Sequence, residues 1–209
     1  MSPDRQIVHI VDDDESFRTA VSRLLQIVGY EVRGYASAGD FLISRPGDAR
    51  GCILLDVNMP GPSGLDLQAA LADHGIDLPI IFLTGHGDVP MSVRAMKAGA
   101  VDFLTKPVER EPLLRAVHEA HARDAGAREA GNRRRAQQAR YDRLTPRERE
   151  VFAGVIAGKL NKQIAADIGA AERTVKAHRA QVLLKMQAGS VADLVRAATE
   201  LGMAPAGDR

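Results

Sequence analysis

CILLDVNMPGPSG, residues 52–64, begins with a short apolar run, meets a carboxylate at Asp56 and then breaks into Pro- and Gly-rich sequence. An unbroken apolar run bounded by turn residues fits a strand buried on both faces. The layout recurs on either side. Candidate strands are IVHIV (7–11) and EVRGY (31–35) before it, and PIIFL (79–83) and VDFL (101–104) after it. Amphipathic stretches separate them at about 15–28, 38–44, 64–73 and 89–98, with another from 109 onward. Five βα alternations predict a parallel sheet with helices on both faces. Functional sites in such sheets lie beyond the carboxyl ends of the strands.

The chain has 209 residues, which at about 150 per domain predicts one large domain or two small ones. With 45% hydrophobic and 26% charged residues, the composition is that of a folded globular chain and excludes disorder throughout. No run approaches the ~20 apolar residues that span a bilayer, and the acidic N-terminus lacks a signal-peptide layout. A single cysteine forms no internal disulfide, so a cytoplasmic protein without membrane contact is expected. The net charge of +1 conceals a division. Residues 1–120 hold 11 basic and 17 acidic residues, whereas residues 121–209 hold 17 and 10. An acidic half joined to a basic half predicts two tasks, the second involving a polyanion.

Asp12, Asp13 and Asp14 follow the first candidate strand, Asp56 the third, Thr84 the fourth and Lys106 the fifth. A parallel sheet can bring all of these to one rim. Clustered carboxylates repel one another and call for a hard dication such as Mg²⁺, which also binds phosphate oxygens. A carboxylate can attack phosphorus to give an acyl phosphate, with an ammonium and a hydroxyl contacting the phosphoryl oxygens. Asp56 is the candidate nucleophile, Lys106 the charge partner and Thr84 the hydroxyl. Taken singly, these residues have plainer roles. Asp14 fits a helix cap, Thr84 a turn, and Lys106-Pro107 a turn. Their recurrence at successive strand ends favours a shared site.

The stretches IVDDDE, LLDVNMPGPSG and LTGHGDVPMSVRAMKAGAVDFLTKP resemble the receiver domain of two-component response regulators over about residues 5–122, and the last is similar to the FixJ-type subgroup. The resemblance implies a flavodoxin-like (βα)5 fold. It implies Asp56 as phosphoacceptor and Asp12, Asp13, Asp56 and the backbone carbonyl of Asn58 as ligands of Mg²⁺, with Mn²⁺ as the alternative. Thr84 and Phe103 would be the switch pair, Lys106 the phosphate contact, and the peptide before Pro107 cis. A haloacid-dehalogenase-like hydrolase would need a second Asp where Asn58 stands. A dinucleotide site would need GxGxxG after the first strand, which is absent.

Residues 123–142 form a linker rich in Ala, Arg and Glu, predicted to be largely helical, although Gly126 and Gly131 would each cost a helix about 1 kcal/mol. Beyond it, Thr145, Pro146 and Glu148 form a capping-box signature for a helix ending near Ala157. Further helices are expected at 161–168, 172–187 and about 191–201, with a flexible tail at 205–209. In the third of these four helices Val175, Val182 and Met186 share one face, and Lys176, Ala177, Ala180 and Gln181 the other. A small, polar and positive face fits a groove, where glutamine can read adenine and alanine permits close approach. Arg173, Thr174, Arg179 and Lys185, with Asn161 and Lys162 on the preceding helix, are candidate phosphate contacts. A plain helical bundle would also satisfy this spacing.

LTPREREVFAGVIAGKLNKQIAADIGAAERTVKAHRAQVLLKM resembles the LuxR-type helix-turn-helix domain over about residues 143–204. That resemblance makes 172–187 the recognition helix. The whole is thus expected to be an α/β receiver followed by an all-α four-helix LuxR-type domain, a DNA-binding transcription factor rather than an enzyme acting on separate substrates. The implied partners are a sensor histidine kinase, double-stranded promoter DNA, a second copy as homodimer on phosphorylation, and RNA polymerase. Phosphorylation-independent DNA binding and a phosphate sink acting by protein interaction are the alternatives. Cys52 is expected in the core, and His118 and His121 on a solvated helix surface. His86 is a candidate modulator of access to Asp56.

Overall fold

The computed structural model describes residues 6–44, 50–73, 75–85 and 89–203. His86 and the tail from 204 lie outside them. The chain divides between Ala127 and Arg128 into two compact units.

In the first unit, strands β1 (Ile7–Val11), β2 (Glu31–Tyr35), β3 (Cys52–Asp56), β4 (Ile80–Thr84) and β5 (Asp102–Thr105) alternate with helices α1 (Glu15–Val28), α2 (Ala38–Ile43), α3 (Gly64–Asp73) and α4 (Val89–Lys97). The sheet is parallel throughout, in the order β2-β1-β3-β4-β5. Every residue of β1, β3 and β4 is buried. Their side chains alternate between two cores. Val11, Ile53, Leu55 and Phe82 join Phe41, Leu67, Leu71 and Ala95 from α2, α3 and α4. Val8, Ile10, Leu54 and Ile81 join Leu25, Leu113 and Val117 from α1 and the following helix α5 (Arg110–Asp142). The unbroken apolar runs follow from this two-sided burial.

Strand limits shift slightly from the sequence reading. Asp56 and Thr84 are the last residues of β3 and β4, not the first residues after them. The stretch 123–142, expected to be largely helical, is helical throughout, because α5 is one helix through Asp142 that includes Gly126 and Gly131.

In the second unit, α6 (Pro146–Ile156), α7 (Asn161–Ile168), α8 (Glu172–Met186) and α9 (Val191–Glu200) enclose one core. Thr145 and Glu148 form a complete capping box at α6. Gly169, at φ 63°, makes the left-handed turn between α7 and α8, a conformation in which glycine carries no Cβ penalty. Val175, Val182 and Met186 are the buried side of α8.

Candidate functional site

Four strand ends build the acidic site. Asp12 follows β1, where its amide donates to the carbonyl of Tyr35 (3.2 Å). Its side chain is fully buried. Asp56 closes β3 and is also buried. The backbone returns tightly there: a Cβ on Gly64 would lie 2.3 Å from the Asp56 carbonyl oxygen, so only glycine fits. The two carboxylates are held alike. Asp12 Oδ1 accepts from the amide of Asp14 (3.0 Å), and Asp56 Oδ1 from that of Asn58 (3.1 Å). Lys106 Nζ then bridges their other oxygens, at 2.6 Å from Asp12 Oδ2 and 2.7 Å from Asp56 Oδ2. Lys106 follows β5, where its amide donates to the Thr84 carbonyl (2.7 Å) and its peptide to Pro107 is cis.

The charges do not balance. Carboxylate oxygens of Asp12, Asp13 and Asp56 lie within 4.8 Å of one another, against the one ammonium that bridges two of them. Burial holds the Asp12 carboxyl above its usual range, ahead of the opposing pull of Lys106. Burial also opposes the charge on Lys106, but its hydrogen bonds to Asp12 and Asp56 outweigh this and raise the ammonium above its ordinary value. A cluster of hard oxygen donors with surplus negative charge fits a dication such as Mg²⁺. Asn58 is exposed beside the cluster, and Thr84 is fully buried. Phe103 is half-buried, its ring centroid 6.2 Å from that of Phe82.

Two neighbours in the first turn of α1 have no counterpart among the sequence candidates. Arg18 Nη1 donates to the Asp12 carbonyl (2.6 Å), and Lys106 Nζ lies 4.3 Å from the centre of the Phe17 ring. The available signal was Asp14, whose carboxylate caps the amides of Ser16 (2.8 Å) and Phe17 (3.1 Å) and so turns α1 toward the rim.

In the second unit, Arg173, Thr174, Lys176, Ala177, Ala180 and Gln181 are all exposed on α8. Lys162 is exposed on α7, and half-buried Asn161 accepts a hydrogen bond from Arg179 Nη1 (3.0 Å). Lys185 has a partner within the unit: its ammonium bonds the buried carboxylate of Glu148 (2.8 and 2.6 Å), a strut between α8 and α6. His121 corrects the sequence reading. It is buried, stacked on Tyr30 at 5.2 Å between centroids, because it continues the apolar stripe of α5.

A five-stranded acidic-rimmed receiver and a helix-turn-helix unit with an exposed basic face define a signal-dependent regulator of transcription. Residues 8–118 match the response regulator receiver domain, and residues 142–198 match the bacterial regulatory proteins of the luxR family. The chain belongs to the two-component response regulators with a LuxR-type DNA-binding domain. Nodulation protein W of Bradyrhizobium diazoefficiens is 48% identical over 199 residues, 95% of this chain and 88% of that protein. Transcriptional regulatory protein FixJ of Rhizobium meliloti is 43% identical over 202 residues, covering 95% and 97%. A solved structure of the response regulator StyR superposes with a TM-score of 0.83 at 41% identity, covering 94% of this chain and 99% of that one. Full-length FixJ from B. japonicum gives a TM-score of 0.58 at 40% identity, covering 95% and 98%. Among the described residues no helix is long and apolar enough to cross a membrane.

Proposed function

We propose that Asp56 is the phosphoacceptor of this response regulator and that its phosphorylation promotes pairing of two copies on promoter DNA. The observation that carries this reading is the Lys106 ammonium bridging the Asp12 and Asp56 carboxylates at the carboxyl ends of the sheet. A carboxylate oxygen of Asp56 forms a bond to the phosphorus of a phosphohistidine on a sensor kinase. The P–N bond breaks, and its electron pair stays on the imidazole nitrogen. Asp12, Asp13 and Asp56, with the backbone carbonyl of Asn58, are the ligands proposed for Mg²⁺, or for Mn²⁺ in its place. The bound dication would supply neutralisation of charge on the phosphoryl oxygens. Lys106 follows the new charge to a phosphoryl oxygen, and the Thr84 hydroxyl donates to another. Phe103 then moves into the space that Thr84 leaves. The change is a shift between two populated states, driven by charge added at one residue.

The output follows from two exposed faces. On α4, Val89 (72% exposed), Val93 (44%) and Met96 (45%) form one apolar stripe, which suits a second copy of the receiver. Pairing raises the effective concentration of the second recognition helix for an adjacent half-site. Gln181, Ala177 and Ala180 of α8 then face base edges. Lys176 lies on the same groove face, and Arg173 and Thr174, with Asn161 and Lys162 from α7, contact phosphates. In this division residues 1–122 receive the signal, 123–142 connect, and 143–204 bind DNA, with RNA polymerase as a further partner.

Intact mass of the full chain after treatment with acetyl phosphate and Mg²⁺ tests the assignment. One phosphoryl group on the native chain and none on Asp56→Asn is the expected result. Equal labelling of both would overturn it.

A further inference from the structure

The Lys106 ammonium has three N–H groups, and two are used on Asp12 and Asp56. The same nitrogen lies over the Phe17 ring, 4.3 Å from the ring centre and within the range of a cation–π contact. The ring does not depend on Lys106 for its place. Its backbone amide is held by Asp14 Oδ1 (3.1 Å), and its side chain packs on the core shared with Val8, Leu25 and Leu113. The next residue, Arg18, ties the same turn to the Asp12 carbonyl (2.6 Å). An aromatic face held by its own backbone and packing therefore lies against the ammonium, whose side chain keeps only 19% of its surface exposed.

We infer that Phe17 is a positioning residue for phosphoryl transfer: its ring seats the Lys106 ammonium between Asp12 and Asp56, poised to meet the incoming phosphoryl oxygens. The inference rests on the reading of Asp56 as phosphoacceptor. With acetyl phosphate, an Asp56 oxygen forms the new O–P bond, the P–O bond of the donor breaks, and acetate leaves with the electron pair. An ammonium already held at the site loses less freedom as it takes up a phosphoryl oxygen than one held by mobile water. Phe17→Leu keeps an apolar side chain but removes the π face. Phe17→Tyr and Phe17→Trp keep the face.

Two measurements on the full chain decide the matter. The first is the rate of phosphoryl gain from acetyl phosphate with Mg²⁺. Phe17→Leu is expected to be about three- to tenfold slower than native, and Phe17→Tyr and Phe17→Trp within about twofold of it. The second is the NMR position of the Lys106 ε-methylene protons without phosphodonor, assigned from their loss in Lys106→Gln. Ring current displaces them upfield of the other lysines in the native chain and in Phe17→Tyr, but not in Phe17→Leu. Equal rates in the native chain and Phe17→Leu, equal slowing in Phe17→Leu and Phe17→Tyr, or an undisplaced Lys106 signal in the native chain would each overturn the inference. Failure of the underlying reading looks different. The native chain and Asp56→Asn are then labelled alike or not at all, and the positioning role falls with it.

Discussion

Lys106 Nζ lies 2.7 Å from Asp56 Oδ2, joining residues 50 positions apart at the ends of two strands that are not neighbours in the sheet. The same nitrogen reaches Asp12, so one cation restrains two buried acids. Removing it leaves both carboxylates uncompensated. Lys106→Gln is expected to destabilise the receiver by about 1–3 kcal/mol in urea unfolding, less than for a fully enclosed pair because the ammonium is partly solvated. Asp56→Asn in the Lys106→Gln background should recover part of that loss, which a double-mutant cycle measures.

Surplus negative charge at Asp12, Asp13 and Asp56 predicts stabilisation by Mg²⁺. A ligand that binds only the folded state adds about 1.4 kcal/mol at ten times its Kd. Thermal unfolding across a Mg²⁺ titration is expected to show a saturable rise in Tm, returned to baseline by chelator. Asp13→Asn should weaken the effect, and Asp12→Asn should do so more strongly because Asp12 is buried.

His9 sets a pH dependence in the receiver. It is buried in β1, stacked on Tyr35 and set edge-on to Phe41. Burial is the main cause that lowers its pKa from 6.5 to about 4. Between those values the unfolded chain binds the proton and the folded chain does not. Stability is therefore lost as pH falls from about 6.5 toward 4, by about 3 kcal/mol in all, and levels off below. His9→Leu should flatten this slope in denaturant midpoints measured from pH 7 to pH 4. Buried His121, also lowered chiefly by burial, contributes in the same direction.

In the helical unit Glu148 joins two devices, the capping box with Thr145 and the ion pair with Lys185. Burial opposes its charge, but the hydrogen bonds from Lys185 and Thr145 prevail and hold the carboxyl below its usual range. Its contribution is complete above the ordinary glutamate value and is lost as pH falls through the lowered folded value. Glu148→Ala is expected to cost about 2–3 kcal/mol, below the range for an enclosed pair because Lys185 keeps 27% of its side-chain surface. Glu148→Gln should cost less, since an amide oxygen can still accept from the Thr145 amide.

Gly126 and Gly131 lie in α5 with nothing beyond their chain neighbours and the helix's own backbone within 4 Å of where a Cβ would sit, and without positive φ. Gly126→Ala and Gly131→Ala should each favour the helix by about 1 kcal/mol. Hydrogen exchange should show stronger protection across 125–135 in the double variant than in the native chain.

These residues also mark what could be read from sequence and what could not. The five βα repeats were legible because β1, β3 and β4 are buried on both faces and leave unbroken apolar runs. Asp12, Asp56, Thr84 and Lys106 could be grouped because parallel strands carry their carboxyl ends to one rim. Helix propensity set Gly126 and Gly131 against a continuous α5, yet the helix passes through both. Lys185 looked like a free cation because its partner Glu148 lies 37 positions away, a pairing that periodicity within α8 does not reveal. His121 escapes the sequence for another reason: its i, i+3 spacing to His118 suggests a surface pair, whereas its spacing to Leu113 and Val117 places it on the buried stripe. Phe17 and Arg18 carry no sequence signal of their own, because an apolar and a basic residue in the first turn of α1 fit an ordinary amphipathic helix equally well.

Charge added at Asp56 is expected to change the association of the whole chain. The most direct measurement is its mass in solution by light scattering, with Mg²⁺, before and after beryllofluoride, for the native chain and for Asp56→Asn. A monomer that becomes a dimer only when Asp56 is present is the predicted result. An unchanged mass with beryllofluoride shown to be bound, or the same change in Asp56→Asn, would contradict the account.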